Sequence, residues 1–222
     1  MSDQVLAAPH VRSFKRRGGR LRSAQAEARE RFWPAFGVDV DGRRLDLVEL
    51  FGRVAPMALE IGFGMGEATV EAAAERPELD VLAVEVHVPG HGALLRAVAD
   101  AGLTNVRVAD GDAVEVLRDM LPSQSLTEVR AYFPDPWPKR RHHKRRLVRP
   151  EVLDLVADRL APGGLVHLAT DWTDYAVRSR GLLAAHPAFA VTDEVPWRPV
   201  TGYERRGLAA GRPPHDVVAL RR

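Results

Sequence analysis

The chain has 222 residues, 45% of them hydrophobic, with a formal net charge of +2 and no cysteine. That length holds one α/β domain with extensions, and the apolar share excludes a disordered chain. No apolar run reaches the ~18 residues of a membrane span, and without cysteine there are no disulfides or thiolate metal ligands, which fits a cytoplasmic protein.

Residues 1–22 carry six Lys or Arg against one acid, Asp3, and read as a flexible basic arm without the layout of a secretory signal. Residues 23–222 read as a single domain. Ser23 caps a helix running to about Trp33, stopped by Pro34. Residues 45–52 form a second short helix. From Pro56 the pattern is regular. Strands are expected at Met57–Ile61, Val81–Val86, Asn105–Val108, Val129–Phe133 and Leu165–Thr170. They alternate with helices at Glu67–Glu75, Gly92–Ala101, Ala113–Leu121 and Glu151–Leu160, and with one ending near Ala185. Phe189–Val195 and Val217–Leu220 are the last two strands. The alternation predicts a mostly parallel seven-stranded sheet with helices on both faces.

Glu60-Ile61-Gly62-Phe63-Gly64-Met65-Gly66 ends the first of these strands and opens a helix. Glycines let the backbone approach a ligand, and the helix start offers free N–H groups. The spacing is Gly-x-Gly-x-Gly after an acid, not the Gly-x-Gly-x-x-Gly of nicotinamide enzymes. A carboxylate at Glu60 disfavours a pyrophosphate and suits an ammonium group, such as the amino-acid end of S-adenosyl-L-methionine. Glu85, ending the next strand, is placed to accept both hydroxyls of a ribose. Asp112, after the third strand, is placed to accept from an adenine amino group, and it can also cap the helix that follows.

At the fourth strand, Ala-Tyr-Phe-Pro-Asp-Pro-Trp-Pro (residues 131–138) fixes one carboxylate, Asp135, between two prolines. The turn resembles, loosely, the Asp-Pro-Pro-Tyr turn of nitrogen methyltransferases acting on nucleic acids. Trp137 is placed to stack on a base, wall a cofactor or pack in the core. From Lys139 to Arg149 there follow seven Lys/Arg, two His and no acid. A strand-edge carboxylate beside such a patch points to chemistry on a polyanion. The chain has three lysines, Lys15, Lys139 and Lys144, and two of them lie in this run. Thr170-Asp171-Trp172 and the loop Thr201–Arg206 add further polar groups. Asp171 is equally suited to capping the next helix, and Glu204 to pairing with a neighbouring Arg.

Taken together, Leu59–Gly64, Val84–His87, Phe133–Leu147, Ala169–Trp172 and Thr201–Gly207, with Arg12-Ser13-Phe14 in the arm, resemble the bacterial tRNA (guanine-N7-)-methyltransferases. The resemblance implies a Rossmann-like class I methyltransferase fold and methyl transfer from S-adenosyl-L-methionine to N7 of a guanosine in the tRNA variable loop. It implies that Glu60, Gly62, Gly64, Glu85, Asp112 and Asp135 bind the cofactor, with Asp135 catalytic. It places Lys139, Asp171, Thr201, Gly202, Tyr203 and Glu204 on the substrate guanosine. Arg141, His142, His143, Lys144, Arg145 and Arg146 would meet RNA. No metal and no obligate protein partner are expected. Guanine N7 carries an in-plane lone pair and no proton, so Asp135 is assigned to positioning and electrostatics, not to general-base work. The rival readings are a methyltransferase for another acceptor, an RNA-binding subunit with a vestigial pocket, and a nicotinamide oxidoreductase.

Overall fold

The computed structural model describes residues 23–222, so the basic arm of residues 1–22 lies outside the described residues. In chain order the elements are α1 (Ser23–Phe36), β1 (Gly37–Asp39), α2 (Leu47–Phe51), β2 (Met57–Ile61), α3 (Glu67–Glu75), β3 (Asp80–Glu85), α4 (Val88–Asp100) and β4 (Val106–Asp110). They continue with α5 (Ala113–Glu115, extended by a π-turn, Val116–Met120), β5 (Leu126–Tyr132), a 3₁₀ segment (Arg140–Arg145), α6 (Pro150–Arg159), β6 (Leu160–Thr170), α7 (Thr173–Ala185), β7 (Phe189–Thr192), α8 (Gly202–Ala209) and β8 (His215–Arg221).

One sheet orders these strands β1-β4-β3-β2-β5-β6-β8-β7. Pairing is parallel from β1 to β6, and β8 runs antiparallel to both β6 and β7. The sheet therefore has eight strands, not the expected seven. The extra one, β1, is three residues long and pairs with β4 at the edge. A segment that short shows no periodicity from which to read a strand.

Alternation along the strands feeds a core on each face. Leu59, Leu82 and Val84 belong to one apolar cluster, while Ala58, Val81 and Ala83 belong to the other. Helix α1 does not stop at Pro34 but runs on to Phe36. Its aromatic residues Phe32, Trp33 and Phe36 pack on the second cluster, so tertiary burial outweighs the proline penalty near the helix end. Strand β6 begins at Leu160, earlier than expected, because a register shift opposite Leu126 and Glu128 absorbs residues 161–164.

Chain order reverses at β2, which has β3 on one side and β5 on the other. Open α/β sheets leave a crevice beyond the strand C-termini at such a switch point. No helix of the described residues is long and apolar enough to cross a membrane.

Candidate active site at the strand C-termini

A cavity of about 660 Å³ opens at this switch point, lined by Gly62, Glu85, Asp112, Phe133, Asp135, Trp137 and Tyr203 among others. It therefore gathers the ends of β2, β3, β4 and β5.

Gly62 and Gly64 hold φ of 80° and 62°, and a Cβ built on either meets nothing within 4 Å. The turn is thus bare backbone bordering open space, a cradle that side chains would fill. Helix α4 abuts it from behind: a Cβ on Gly90 would lie 1.9 Å from the Gly64 carbonyl oxygen. Glu85 is fixed by three main-chain donors. Its Oε1 accepts from Val86 N (2.7 Å) and His87 N (3.0 Å), and its Oε2 from Gly64 N (3.1 Å). Asp112 is buried and does cap the following helix, its Oδ1 accepting from Val114 N at 3.0 Å, yet it also borders the cavity.

Glu60 is placed differently from its sequence-based role. It is 3% exposed and does not line the cavity. Parallel pairing sets it opposite Arg130 on β5. Its Oε2 accepts from Arg130 Nε (3.0 Å) and Nη2 (2.6 Å), and its Oε1 from Thr69 Oγ1 (2.8 Å). Burial alone would weaken the Arg130 charge. The carboxylates of Glu60 and Glu128 outweigh it and hold the guanidinium more firmly protonated than usual. Glu60 thus ties β2 to β5 through Arg130 and to α3 through Thr69.

Asp135 is exposed and lines the cavity. On either side of its proline pair, Phe133 (φ 56°) and Trp137 (φ 44°) sit in the left-handed region, uncommon for aromatic residues. Phe133 N donates to Ala169 O (2.7 Å), tying the turn to β6. The Phe133 ring packs on Tyr203 with centroids 5.3 Å apart. Trp137 has the His142 ring edge-on at 5.7 Å and the Arg145 guanidinium at 5.0 Å.

The segment read as a loop at Thr201–Arg206 is the start of helix α8. Thr201 caps it, its hydroxyl accepting from Glu204 N at 3.0 Å. Thr-x-x-Glu is a capping signature, and the sequence reading passed over it. Glu204 is 6% exposed, and Arg198 takes up its carboxylate, through Nη1 at 2.5 Å and Nη2 at 3.1 Å. Glu204 thus pairs with an arginine, as its sequence context allowed. Arg198 also reaches Asp216 (Nε 2.7 Å, Nη2 3.2 Å), and His167 Nε2 lies 2.7 Å from the same carboxylate. Burial pushes the Asp216 carboxyl up, but the hydrogen bonds from His167 and Arg198 bring it down to about 2. Arg198, which the sequence reading missed, anchors α8 to β8. Its guanidinium lies 5.8 Å from the Phe133 ring centroid. Arg205 reaches Glu67 at 2.9 Å, and a Cβ on Gly202 would lie 3.2 Å from the same carboxylate.

Asp171 does not cap α7, whose N-cap is Trp172 without a side-chain bond; instead its Oδ2 accepts from Arg212 Nε at 2.9 Å. In the basic run Lys139, Arg141 and Lys144 are exposed, and His142, His143 and Arg145 are half-buried. Desolvation first, then the cations Arg141 and Arg145, lower the His142 imidazole from its ordinary range. Arg146 departs from its expected RNA contact. It is 1% exposed and turned into the fold.

A family model described as "Putative methyltransferase" matches residues 54–217. A tRNA (guanine-N(7)-)-methyltransferase of Streptomyces avermitilis is 52% identical over 218 residues, covering 95% of this chain and 75% of that protein. One from Halorhodospira halophila is 54% identical over 216 residues, covering 94% of each. Among solved structures, the aminoglycoside resistance methyltransferase NpmB1 is similar in fold, with a TM-score of 0.55 at 14% identity over 80% of this chain and 92% of that one. TrmN from Thermus thermophilus also has a TM-score of 0.55, at 22% identity over 79% and 47%.

Proposed function

The chain belongs to the family of tRNA (guanine-N(7)-)-methyltransferases, and we propose that the cavity beyond β2–β5 holds S-adenosyl-L-methionine against a guanosine of the tRNA variable loop. The reaction is methyl transfer from that cofactor to guanine N7, forming 7-methylguanosine. One observation carries the assignment of the site: three carboxylates from successive strand ends, Glu85, Asp112 and Asp135, border one cavity with the bare Gly62 backbone.

The residues fit the cofactor. The volume falls within the ~300–1,000 Å³ of small-molecule sites. Glu85 offers acceptors for ribose hydroxyls, already oriented by three amides. Asp112 offers one for an adenine amino group, and Ile61, Val84 and Leu147 give apolar walls. Bound S-adenosyl-L-methionine supplies an electrophilic methyl on a sulfonium.

The chain's own residues then have three tasks. Guanine N7 needs no deprotonation, so the first is alignment, which the double-proline turn and the Phe133–Tyr203 pair serve by fixing one edge of the cavity. Tyr203 is 43% exposed and offers ring surface for base stacking. The second task is electrostatic: the methylated ring becomes cationic, and the Asp135 carboxylate stabilises that charge while accepting from the guanine N–H edge. The third is docking, by the exposed cations Lys139, Arg141 and Lys144 beside the cavity mouth.

The test is single-turnover methylation by wild type and Asp135→Asn across pH 6–9. Asp135→Asn keeps the shape, loses the charge, and is expected to cut the rate strongly with tRNA affinity near normal. Near-normal methylation by the variant removes the electrostatic role. A wild-type chemical step rising tenfold per pH unit would mean that the acceptor atom carries a proton.

A further inference from the structure

The last residue of the cluster Lys139–Arg146 does not share its exposure. Lys144 is open to solvent, whereas Arg146 is buried. Its Nε donates to the Pro136 carbonyl at 2.8 Å and its Nη2 to Asp174 Oδ2 at 2.7 Å. Its guanidinium carbon lies 4.9 Å from the ring centroid of Tyr175 on α7. The Tyr175 hydroxyl in turn accepts from Val148 N at 3.1 Å.

Pro136 directly follows Asp135. In Pro-Asp-Pro-Trp-Pro three of five residues have no amide N–H, so this turn has few main-chain donors with which to hold its shape. Phe133 and Trp137 at its ends both occupy the left-handed region. Such conformations persist where the surroundings over-determine them. A charged donor on the Pro136 carbonyl, itself held by α7, is such a constraint.

We propose that Arg146 is a positioning residue: clamped to Asp174 and Tyr175 of α7, it fixes through the Pro136 carbonyl the turn that presents Asp135, and it makes no phosphate contact. The proposal rests on the role of Asp135 given above.

The experiment compares Arg146→Gln, Asp174→Ala, Lys144→Ala and Asp135→Asn by single-turnover methylation and by the salt dependence of tRNA binding. Asp174 is 65% exposed at its side chain, so Asp174→Ala loosens the clamp in a protein that keeps its core, even if Arg146→Gln folds poorly. A clamp predicts a rate loss of about tenfold or more in Arg146→Gln. It predicts a smaller loss in Asp174→Ala, and a salt slope equal to wild type in both. Adding Arg146→Gln to Asp135→Asn should then cost little more, because the carboxylate being positioned is already gone. Lys144→Ala, at an exposed cation of the same run, should instead lower the slope. The proposal is overturned if Arg146→Gln lowers the slope by the ~0.7–0.9 that one neutralised phosphate is worth. It is also overturned if both clamp variants methylate at the wild-type rate while Asp135→Asn is slow. A wild-type rate in Asp135→Asn would instead overturn the reading on which the proposal rests.

Discussion

Replacing Glu85 by Gln probes the cofactor half of the cavity. The carboxylate accepts three main-chain N–H groups through its two oxygens. Gln can keep an oxygen toward Val86 and His87, but its amide nitrogen then faces the Gly64 N–H, donor against donor. Losing that bond costs the free protein about 1–2 kcal/mol, visible as a lower unfolding midpoint. Cofactor binding loses more specifically. Hydrogen bonds from ribose hydroxyls to a carboxylate are charge-assisted and worth about 1.5–3 kcal/mol each, and an amide retains part of this. The expected net loss is about 1–3 kcal/mol, or roughly 5- to 150-fold in Kd. Glu85→Ala, which retains no acceptor, should lose the most affinity within that range. Titration calorimetry with S-adenosyl-L-methionine and with S-adenosylhomocysteine separates the causes. The two ligands share the ribose and differ in the sulfonium charge, so equal losses are expected, with tRNA affinity unchanged. Unchanged affinity for both would refute the assignment. A loss confined to the sulfonium ligand would mean that Glu85 acts through its field and does not hold the ribose.

Glu60→Gln should behave in the opposite sense. It leaves Arg130 buried and under-compensated, on the order of 3 kcal/mol destabilising in urea unfolding, while cofactor affinity of the folded protein changes less than in Glu85→Gln. For the basic run, neutralising Arg141 and Lys144 should reduce the salt slope of tRNA binding by ~0.7–0.9 for each phosphate that is no longer neutralised, and spare cofactor binding; an unchanged slope would make the run a solvated face. Asp216 has a folded carboxyl held near 2 against an ordinary 3.8. A depressed carboxyl contributes stability that is fully present above the ordinary value and is lost as pH falls through the folded one. Wild type should therefore lose about 2 kcal/mol from this group between roughly pH 4 and 2, and Asp216→Asn should show that much less acid dependence in chemical unfolding.

The parallel strands β2 to β6 and their order along the chain were legible because each contains a short apolar run, whereas β1, three residues long, was not. Glu85, Asp112 and Asp135 were legible because a carboxylate ending a strand of an open sheet has few places to go but the crevice. Glu60 looked the same in sequence. Cross-strand register, which no local pattern reveals, set it opposite Arg130 instead. The burial of Arg146 was not legible because a run of cations looks uniform until its backbone turns: the 3₁₀ segment ends at Arg145, and the chain then folds Arg146 inward. Arg198, set between Trp197 and Pro199, gave no sign of the two distant carboxylates it joins. The start of α8, by contrast, was there to be read in Thr201-x-x-Glu204, and glycine and charge in the following residues masked it.

On the reading proposed above, this cavity places a cofactor methyl at N7 of a tRNA guanosine. The measurement that bears on it most directly is transfer of isotopically labelled methyl from S-adenosyl-L-methionine to unmodified tRNA, followed by digestion and identification of the labelled nucleoside. Label is expected in 7-methylguanosine from the variable loop, lost when that guanosine is replaced and strongly reduced in Asp135→Asn. Label at an exocyclic amine, on another base, or at an undiminished level without the variable-loop guanosine would contradict the account.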